Sequence, residues 1–249
     1  MSTAGRPLEG RVALVTGAGQ RLGRAIAEGL GKLGADVAVH FHTSGQGAEE
    51  VAARIRADGN RARAVTADLA DPAAIQPLLE TIGQFLGPVS ILVNSAGILQ
   101  RADFLDTSPE LLERLWAVNV RAPFLLGQAA AAGMAKAGRG DIVNVLDVAG
   151  VAHTWRHHAA YAMTRAALAS LTRSTALELA PRVRVNAIAP GLVLPPDDLG
   201  AELREVLASN IPAGGFGSPA DVVDTVAFLV AGPRFITGQV LVVDGGRSL

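Results

Sequence analysis

Apolar residues follow two alternating rhythms along the chain. Short runs rich in β-branched residues occur at Arg11–Thr16, Asp36–Phe41, Ala62–Thr66, Val89–Val93, Asp141–Leu146, Arg184–Ala189 and Gln239–Val243. Several are apolar on both faces, as in Val12-Ala13-Leu14-Val15 and Ile142-Val143-Asn144-Val145. Such runs suit strands buried on both sides, the condition of a parallel sheet covered by helices. Between them the apolar positions take helical spacing, first at Ile26, Leu30 and Leu33. Further helices are predicted over Gln46–Ala57, Asp71–Phe85, Pro109–Ala137, Ala159–Leu179 and Pro219–Val230. Strand–helix alternation repeated this often predicts an α/β fold, a doubly wound parallel sheet of about seven strands with helices on both faces. No linker or repeat interrupts it, so residues 1–249 read as a single domain with a short N-terminal tail over 1–9. The stretch Gly191–Gly217, rich in glycine and proline and carrying Asp197-Asp198, is too long for an ordinary connection. It reads as a flexible substrate loop over a site, or as a plain surface loop.

Composition narrows the function classes. The 249 residues include no cysteine, which excludes disulfides, cysteine zinc sites and a thiol nucleophile; no metal site is expected. Lysine and arginine number 22 against 23 aspartate and glutamate, a balance that argues against nucleic-acid binding by bulk charge. No apolar run approaches the roughly 18 residues of a spanning helix, and residues 1–10 do not resemble a signal peptide. A soluble cytoplasmic protein acting on a small molecule is expected.

Candidate chemistry gathers where strands end. Thr16-Gly17-Ala18-Gly19-Gln20-Arg21-Leu22-Gly23 joins the first strand to the first helix. A tight turn there aims backbone N–H groups and a helix N-terminus at an anion, and glycine admits a pyrophosphate. Sites that prefer NAD place an acid at the end of the second strand; here stand His40, Phe41, His42, Thr43 and Ser44, with no carboxylate. Arg21, His40, His42 and Ser44 are therefore a candidate pocket for the 2′-phosphate of NADP, unless the histidines merely alternate along a strand. Tyr161, the one tyrosine, precedes Arg165 by one helical turn. A nearby guanidinium is expected to lower the phenol pKa toward neutrality, fitting it to exchange a proton with a carbonyl or imine. Taken alone, the pair reads better as a surface tyrosine over an arginine. Asp147 and Asn94-Ser95-Ala96-Gly97 also follow strands, at the end where open parallel sheets collect functional groups.

Together these pieces resemble the short-chain dehydrogenase/reductases, over the whole chain from Arg11 onward. The motifs are the turn at Thr16–Gly23, Asp68-Leu69, Asn94-Ser95-Ala96-Gly97, Asn119, the Tyr161 helix, Arg184-Val185-Asn186 leading to Pro190-Gly191-Leu192, Thr237-Gly238, and Asp244-Gly245-Gly246. The resemblance implies a Rossmann-type domain and subunits paired through the middle helices into homodimers or homotetramers. It implies that NADP lies on the turn, Asp68, Leu69, Ser95, Ala96, Gly97 and Pro190–Leu192, with Tyr161, Arg165, Asp147 and Asn119 catalytic and Asn119 holding a relay water. Arg21, the run His40-Phe41-His42 and Asp147 in place of a catalytic serine are similar to the pteridine reductase-like branch, which implies NADPH-dependent reduction of pterins or folates.

Three departures qualify that branch. The usual lysine is Arg165, which keeps the charge but does not readily release a proton. The segment from Asp147 to Tyr161 is one residue longer than common and carries His153, Trp155, Arg156, His157 and His158. Leu99 stands where a pterin-stacking aromatic falls, so Leu99 and Trp155 join Asp147 and Tyr161 as candidate substrate contacts. Alternatives are an NADP-dependent carbonyl reductase or alcohol dehydrogenase of another small substrate, a haloalcohol dehalogenase-like lyase needing no cofactor, and a non-catalytic NADPH-binding protein. Retained glycines at 17, 19 and 23 speak against the lyase.

Overall fold

The computed structural model describes residues 5–195 and 199–249. Seven strands form one sheet: β1 (Val12–Val15), β2 (Asp36–Phe41), β3 (Ala62–Thr66), β4 (Ile91–Asn94), β5 (Gly140–Val145), β6 (Val183–Pro190) and β7 (Val240–Val243). Every pairing is parallel and the order is β3-β2-β1-β4-β5-β6-β7. The helices are α1 (Arg21–Lys32), α2 (Gly45–Ala57), α3 (Ile75–Phe85), α4 (Pro109–Trp116), α5 (Ala122–Lys136), α6 (Ala159–Leu179), α7 (Ala201–Ser209) and α8 (Pro219–Ala231).

The apolar runs explain the layering. In β1, Ala13 and Val15 join one buried cluster with Ile26, Val51 and Val226, which places α1, α2 and α8 on that face. Val12 and Leu14 join the other with Leu78, Leu126 and Ala176, which places α3, α5 and α6 on the opposite face. Side chains alternate across a strand, so only an unbroken apolar run supplies both cores. Strand order reverses between β1 and β4, leaving a crevice beyond their carboxyl ends.

Two predicted elements differ from those observed. Residues 109–136 run as one unbroken helical stretch, and the difference is a π-turn over Ala117–Arg121 that joins α4 to α5. Pro123 has no N–H to continue the ladder, and a single wide turn accommodates the change. Residues 191–217 are not wholly loop, because Leu203, Val206 and Leu207 supply the helical spacing of α7. Asp197 and Asp198 lie outside the described residues, as do residues 1–4 of the N-terminal tail.

At the strands' amino ends, buried Asp141 meets three arginines, Arg11 at 2.8 Å, Arg184 at 2.7 Å and Arg234 at 3.0 Å. Among the described residues no helix is long and apolar enough to cross a membrane, and no group of three or more His, Asp or Glu side chains could hold a metal.

Candidate active site

A cavity of about 480 Å³ fills the crevice at the carboxyl ends of the strands. Its floor begins at the turn after β1. Gly17 has φ +65°, and a Cβ there would fall 2.9 Å from the Ala96 Cα. A Cβ on Gly23 would fall 2.3 Å from the Gly17 oxygen. Glycine at these two positions lets the turn close against the start of α1 and the segment after β4. Thr16 fixes that approach, its hydroxyl accepting from the N–H groups of Ser95 at 3.0 Å and Ala96 at 2.9 Å.

The N-terminus of α1 is left open toward the cavity. Gln20 stands at the cap position without a side-chain cap bond, and no acid occupies the first turn. By contrast, α8 begins with a complete capping box from Ser218 and Asp221. Unmet N–H groups and the positive end of the helix dipole make the first terminus suited to a phosphate. Arg21 takes φ +50°, although it is not glycine, and its guanidinium donates to the Leu194 carbonyl at 2.9 Å.

His40 has a different task from phosphate binding. It is 2% exposed; its Nδ1 accepts from the Gly17 N–H at 3.2 Å and its Nε2 lies 3.1 Å from the Ala67 carbonyl. One neutral tautomer satisfies both contacts, with Nε2 donating. Burial pushes the ring pKa down to about 4. The ring therefore has no free nitrogen for a 2′-phosphate, and instead braces the glycine turn against β3. His42, Thr43 and Ser44 do line the cavity, as do Asp68 and Leu69. Phe41 turns into the core around α1 and α2.

Across the cavity, α6 presents Tyr161 and Arg165 one turn apart. The Tyr161 hydroxyl donates to Asp147 Oδ2 at 2.9 Å, and Asp147 Oδ1 accepts from the Ala149 N–H at 2.9 Å. Burial raises the Asp147 pKa above its usual range. The Tyr161 pKa is pushed up to about 12, chiefly by burial. Arg165 opposes that rise and the Asp147 charge adds to it. The expected shift toward neutrality is thus reversed: the guanidinium is present, but desolvation of a phenolate outweighs it. Arg165 Cζ lies 4.9 Å from the tyrosine ring centroid, and Arg165 NH1 donates to the Val145 carbonyl at 3.3 Å. Its Nε is buried with no partner among the described residues. A Cβ on Gly97 would sit 2.5 Å from Arg165 NH2, so glycine there makes room for the larger cation.

Gly17, Arg21, Leu22, Gly23, His40, Ser95, Ala96, Gly97, Leu99, Pro190 and Gly191 line the same cavity. Gly19, Asn119, Trp155 and Leu192 are not among its lining residues. Asn119 is fully buried in the π-turn, where its amide donates to the Ile98 carbonyl at 2.9 Å and the Thr164 hydroxyl at 3.1 Å. Its oxygen accepts from the Ile98 N–H at 2.9 Å. With both amide hydrogens used, it holds the chain in place and does not donate to a relay water. Trp155 connects to Tyr161 through a file of ring contacts running His153, Trp155, His158, Tyr161. Sequence reasoning missed Gln20, Ile98, Val118, Leu146, Val193 and Leu194 in the lining. Their only signal is adjacency to the strand ends and the turn.

Comparison with known proteins gives consistent likenesses over the full chain. The family model described as "Enoyl-(Acyl carrier protein) reductase" matches residues 17–248. An L-rhamnose 1-dehydrogenase (NAD(P)(+)) from Sphingomonas sp. (strain SKA58) is 37% identical over 96% of each chain. A 3-oxoacyl-[acyl-carrier-protein] reductase from Staphylococcus aureus is 35% identical over 95% of this chain and 98% of its own. Among solved structures, a gluconate 5-dehydrogenase from Burkholderia cenocepacia J2315, in complex with NADP and tartrate, superposes with TM-score 0.89 at 30% identity over 98% of each chain.

Proposed function

Because this chain belongs to the short-chain dehydrogenase/reductase family, we propose that it is an NADP(H)-dependent oxidoreductase acting on the carbonyl or alcohol of a small substrate. The observation that carries the reading is one cavity joining an uncapped helix N-terminus behind a glycine turn to a buried Tyr161–Asp147–Arg165 group. The pyrophosphate would rest on the Gly17–Gly23 turn, with Asp68, Leu69 and Ser95 to Gly97 beside the nucleotide. His42, Thr43 and Ser44 would meet the 2′-phosphate, where no carboxylate opposes it. When bound, the nicotinamide supplies or accepts a hydride.

The protein's own residues manage the proton. A phenol with pKa near 12 stays protonated at neutral pH, so Tyr161 acts as an acid toward a developing alkoxide. Asp147 accepts the hydrogen bond of the Tyr161 hydroxyl, which orients the phenol and helps keep it protonated, and Tyr161 recovers its proton from water. Arg165 holds positive charge beside the phenol and limits the rise in its pKa.

The narrower pterin or folate reading draws support from Asp147 and the His40–His42 run. A pterin needs a flat stacking partner, yet Tyr161 is the only Phe, Tyr or Trp lining the cavity among the described residues, and Leu99 is 58% exposed. Reduction of a small carbonyl compound is the better supported assignment. Subunit pairing belongs to the proposal too: a groove between α5 and α6 leaves Phe124 half exposed beside Ala131 and Leu179. Cytoplasmic placement likewise belongs to the proposal. The test is NADPH consumption against a panel of ketones, aldehydes and pterins, with the alcohol identified. Ketone or aldehyde reduction with NADPH preferred over NADH is expected; reduction of pterins alone would restore the narrower reading.

A further inference from the structure

Among the described residues, only Arg21 and His157 hold a positive φ without being glycine. Arg21, at φ +50°, is the first residue of α1 and lines the cavity. A left-handed backbone costs an L side chain energy that glycine is spared. Strain of this kind persists where the surrounding structure over-determines it, often at a functional site. Here the side chain crosses to a residue far along the chain, NH2 donating to the Leu194 carbonyl at 2.9 Å.

Leu194 belongs to the segment that leaves β6 and walls the cavity through Gly191, Val193 and Leu194. The start of this wall is held by the main chain. The Gly191 N–H donates to the Val243 carbonyl at 3.0 Å, and the Leu192 carbonyl accepts from the Gly217 N–H at 3.1 Å. Over residues 193–195, the bond from Arg21 is the one hydrogen bond among the described residues. Packing supplies the rest of the support, with Val193 buried in the cluster of Ile26 and Val226 and Leu194 set against it. The direction of the bond matters as well. In the sheet, β2 and β6 lie on opposite sides of β1. His42, Thr43 and Ser44 follow β2, whereas the partner of Arg21 follows β6. The guanidinium is thus committed toward the side that carries Asp147 and Tyr161, away from the end where a 2′-phosphate would rest.

We propose that Arg21 is a positioning residue for the carbonyl substrate: by holding the Leu194 carbonyl it fixes the cavity wall at Val193 and Leu194, and it is not the 2′-phosphate contact. The proposal rests on the reading of the cavity as a reductase site. A charged donor makes the stronger kind of hydrogen bond, and arginine keeps its charge at any working pH. A wall fixed before the substrate arrives spares the substrate the cost of ordering it. That gain is the same for bound substrate and transition state, so its loss belongs in KM more than in kcat.

The left-handed backbone supplies a clean variant, because Arg21→Gly removes the guanidinium and leaves a residue better suited to the turn. Its melting temperature should not fall. In the nucleotide-free protein, amide hydrogen exchange over residues 191–195 should become faster, while exchange over residues 12–19 stays as it was. Calorimetric titration should give an NADPH Kd within about threefold of the unaltered protein, since no phosphate contact is lost. With a carbonyl compound that the unaltered protein reduces, KM should rise by about fivefold or more, with a smaller change in kcat. Arg21→Lys, which keeps a donor but not the planar fork, should recover part of that KM. Exchange that Arg21→Gly leaves unchanged overturns the proposal, and so does an unchanged carbonyl KM. A loss of about tenfold in NADPH affinity with NADH affinity unaltered also overturns it, by assigning Arg21 to the 2′-phosphate. If the unaltered protein reduces no carbonyl compound, the reductase reading fails, and exchange and titration still decide whether Arg21 holds the wall or the nucleotide.

Discussion

The two ends of the sheet treat buried charge in opposite ways, and β5 touches both. Asp141, near its amino end, is surrounded by three guanidinium groups. Two of those groups also donate to backbone carbonyls, Arg184 to Leu229 at 2.6 Å and Arg11 to Ser90 at 2.7 Å. Asp147, just past its carboxyl end, has a phenol and one backbone N–H, while Arg165 nearby keeps an unmet Nε. The helix termini repeat the contrast, with α8 capped by its own side chains and α1 open. A charge whose partners are complete locks β1, β5 and β6 to the segment after α8. A charge or dipole left incomplete is free to meet a ligand. The same residue types thus serve stability at one end and chemistry at the other, according to whether their hydrogen bonds are finished.

Breaking the closed end should have the largest effect. Asp141→Asn leaves three arginines without their buried counter-charge and should cost about 3–5 kcal/mol in urea unfolding. Tyr161→Phe at the open end should instead cut turnover by a factor of roughly 10² or more, with stability changed by about 1 kcal/mol. Turnover unchanged in that variant would remove Tyr161 from the proton path.

His40 joins the two behaviours, since it sits at the open end but is fully partnered. Its folded pKa, about 4, lies below the ordinary value of 6.5. Stability from the neutral ring is therefore complete above 6.5 and lost as pH falls toward 4. Unfolding free energy should drop by about 2 kcal/mol between pH 7.5 and pH 5 from this group. His40→Gln should flatten that part of the profile; an unchanged slope would mean that the ring is not buried neutral. The smallest effect belongs to the caps. Ser218→Ala should cost about 1 kcal/mol, whereas Gln20→Ala, with no cap bond to lose, should stay within about 0.5 kcal/mol. Equal losses in thermal unfolding would erase the contrast between α8 and α1.

Much of this was legible in the sequence, for identifiable reasons. All seven strands stand where apolar runs predicted them; β1, β4, β5 and β6 are buried throughout because they face two cores, while the edge strands β3 and β7 are only partly buried. Gly17 and Gly23 were readable because close approach leaves no room for a side chain. What escaped depended on contacts distant in sequence. The partner of His40 is a carbonyl beyond β3, and the amide of Asn119 is consumed by Ile98 and Thr164. The Tyr161 pKa was misjudged because spacing names the guanidinium but not the depth of burial. Trp155 and Arg247 meet from well-separated parts of the chain, and no local pattern joins them. Helix α7 was hidden by the glycines and prolines around it.

The most direct test of the open end is calorimetric titration of the protein with NADPH and, separately, with NADH. The account predicts saturable NADPH binding with NADH at least about tenfold weaker, since under the proposed reading a 2′-phosphate would meet His42, Thr43 and Ser44 with no carboxylate opposing it. Absence of binding by either nucleotide would contradict it, and would leave the glycine turn as a structural feature alone.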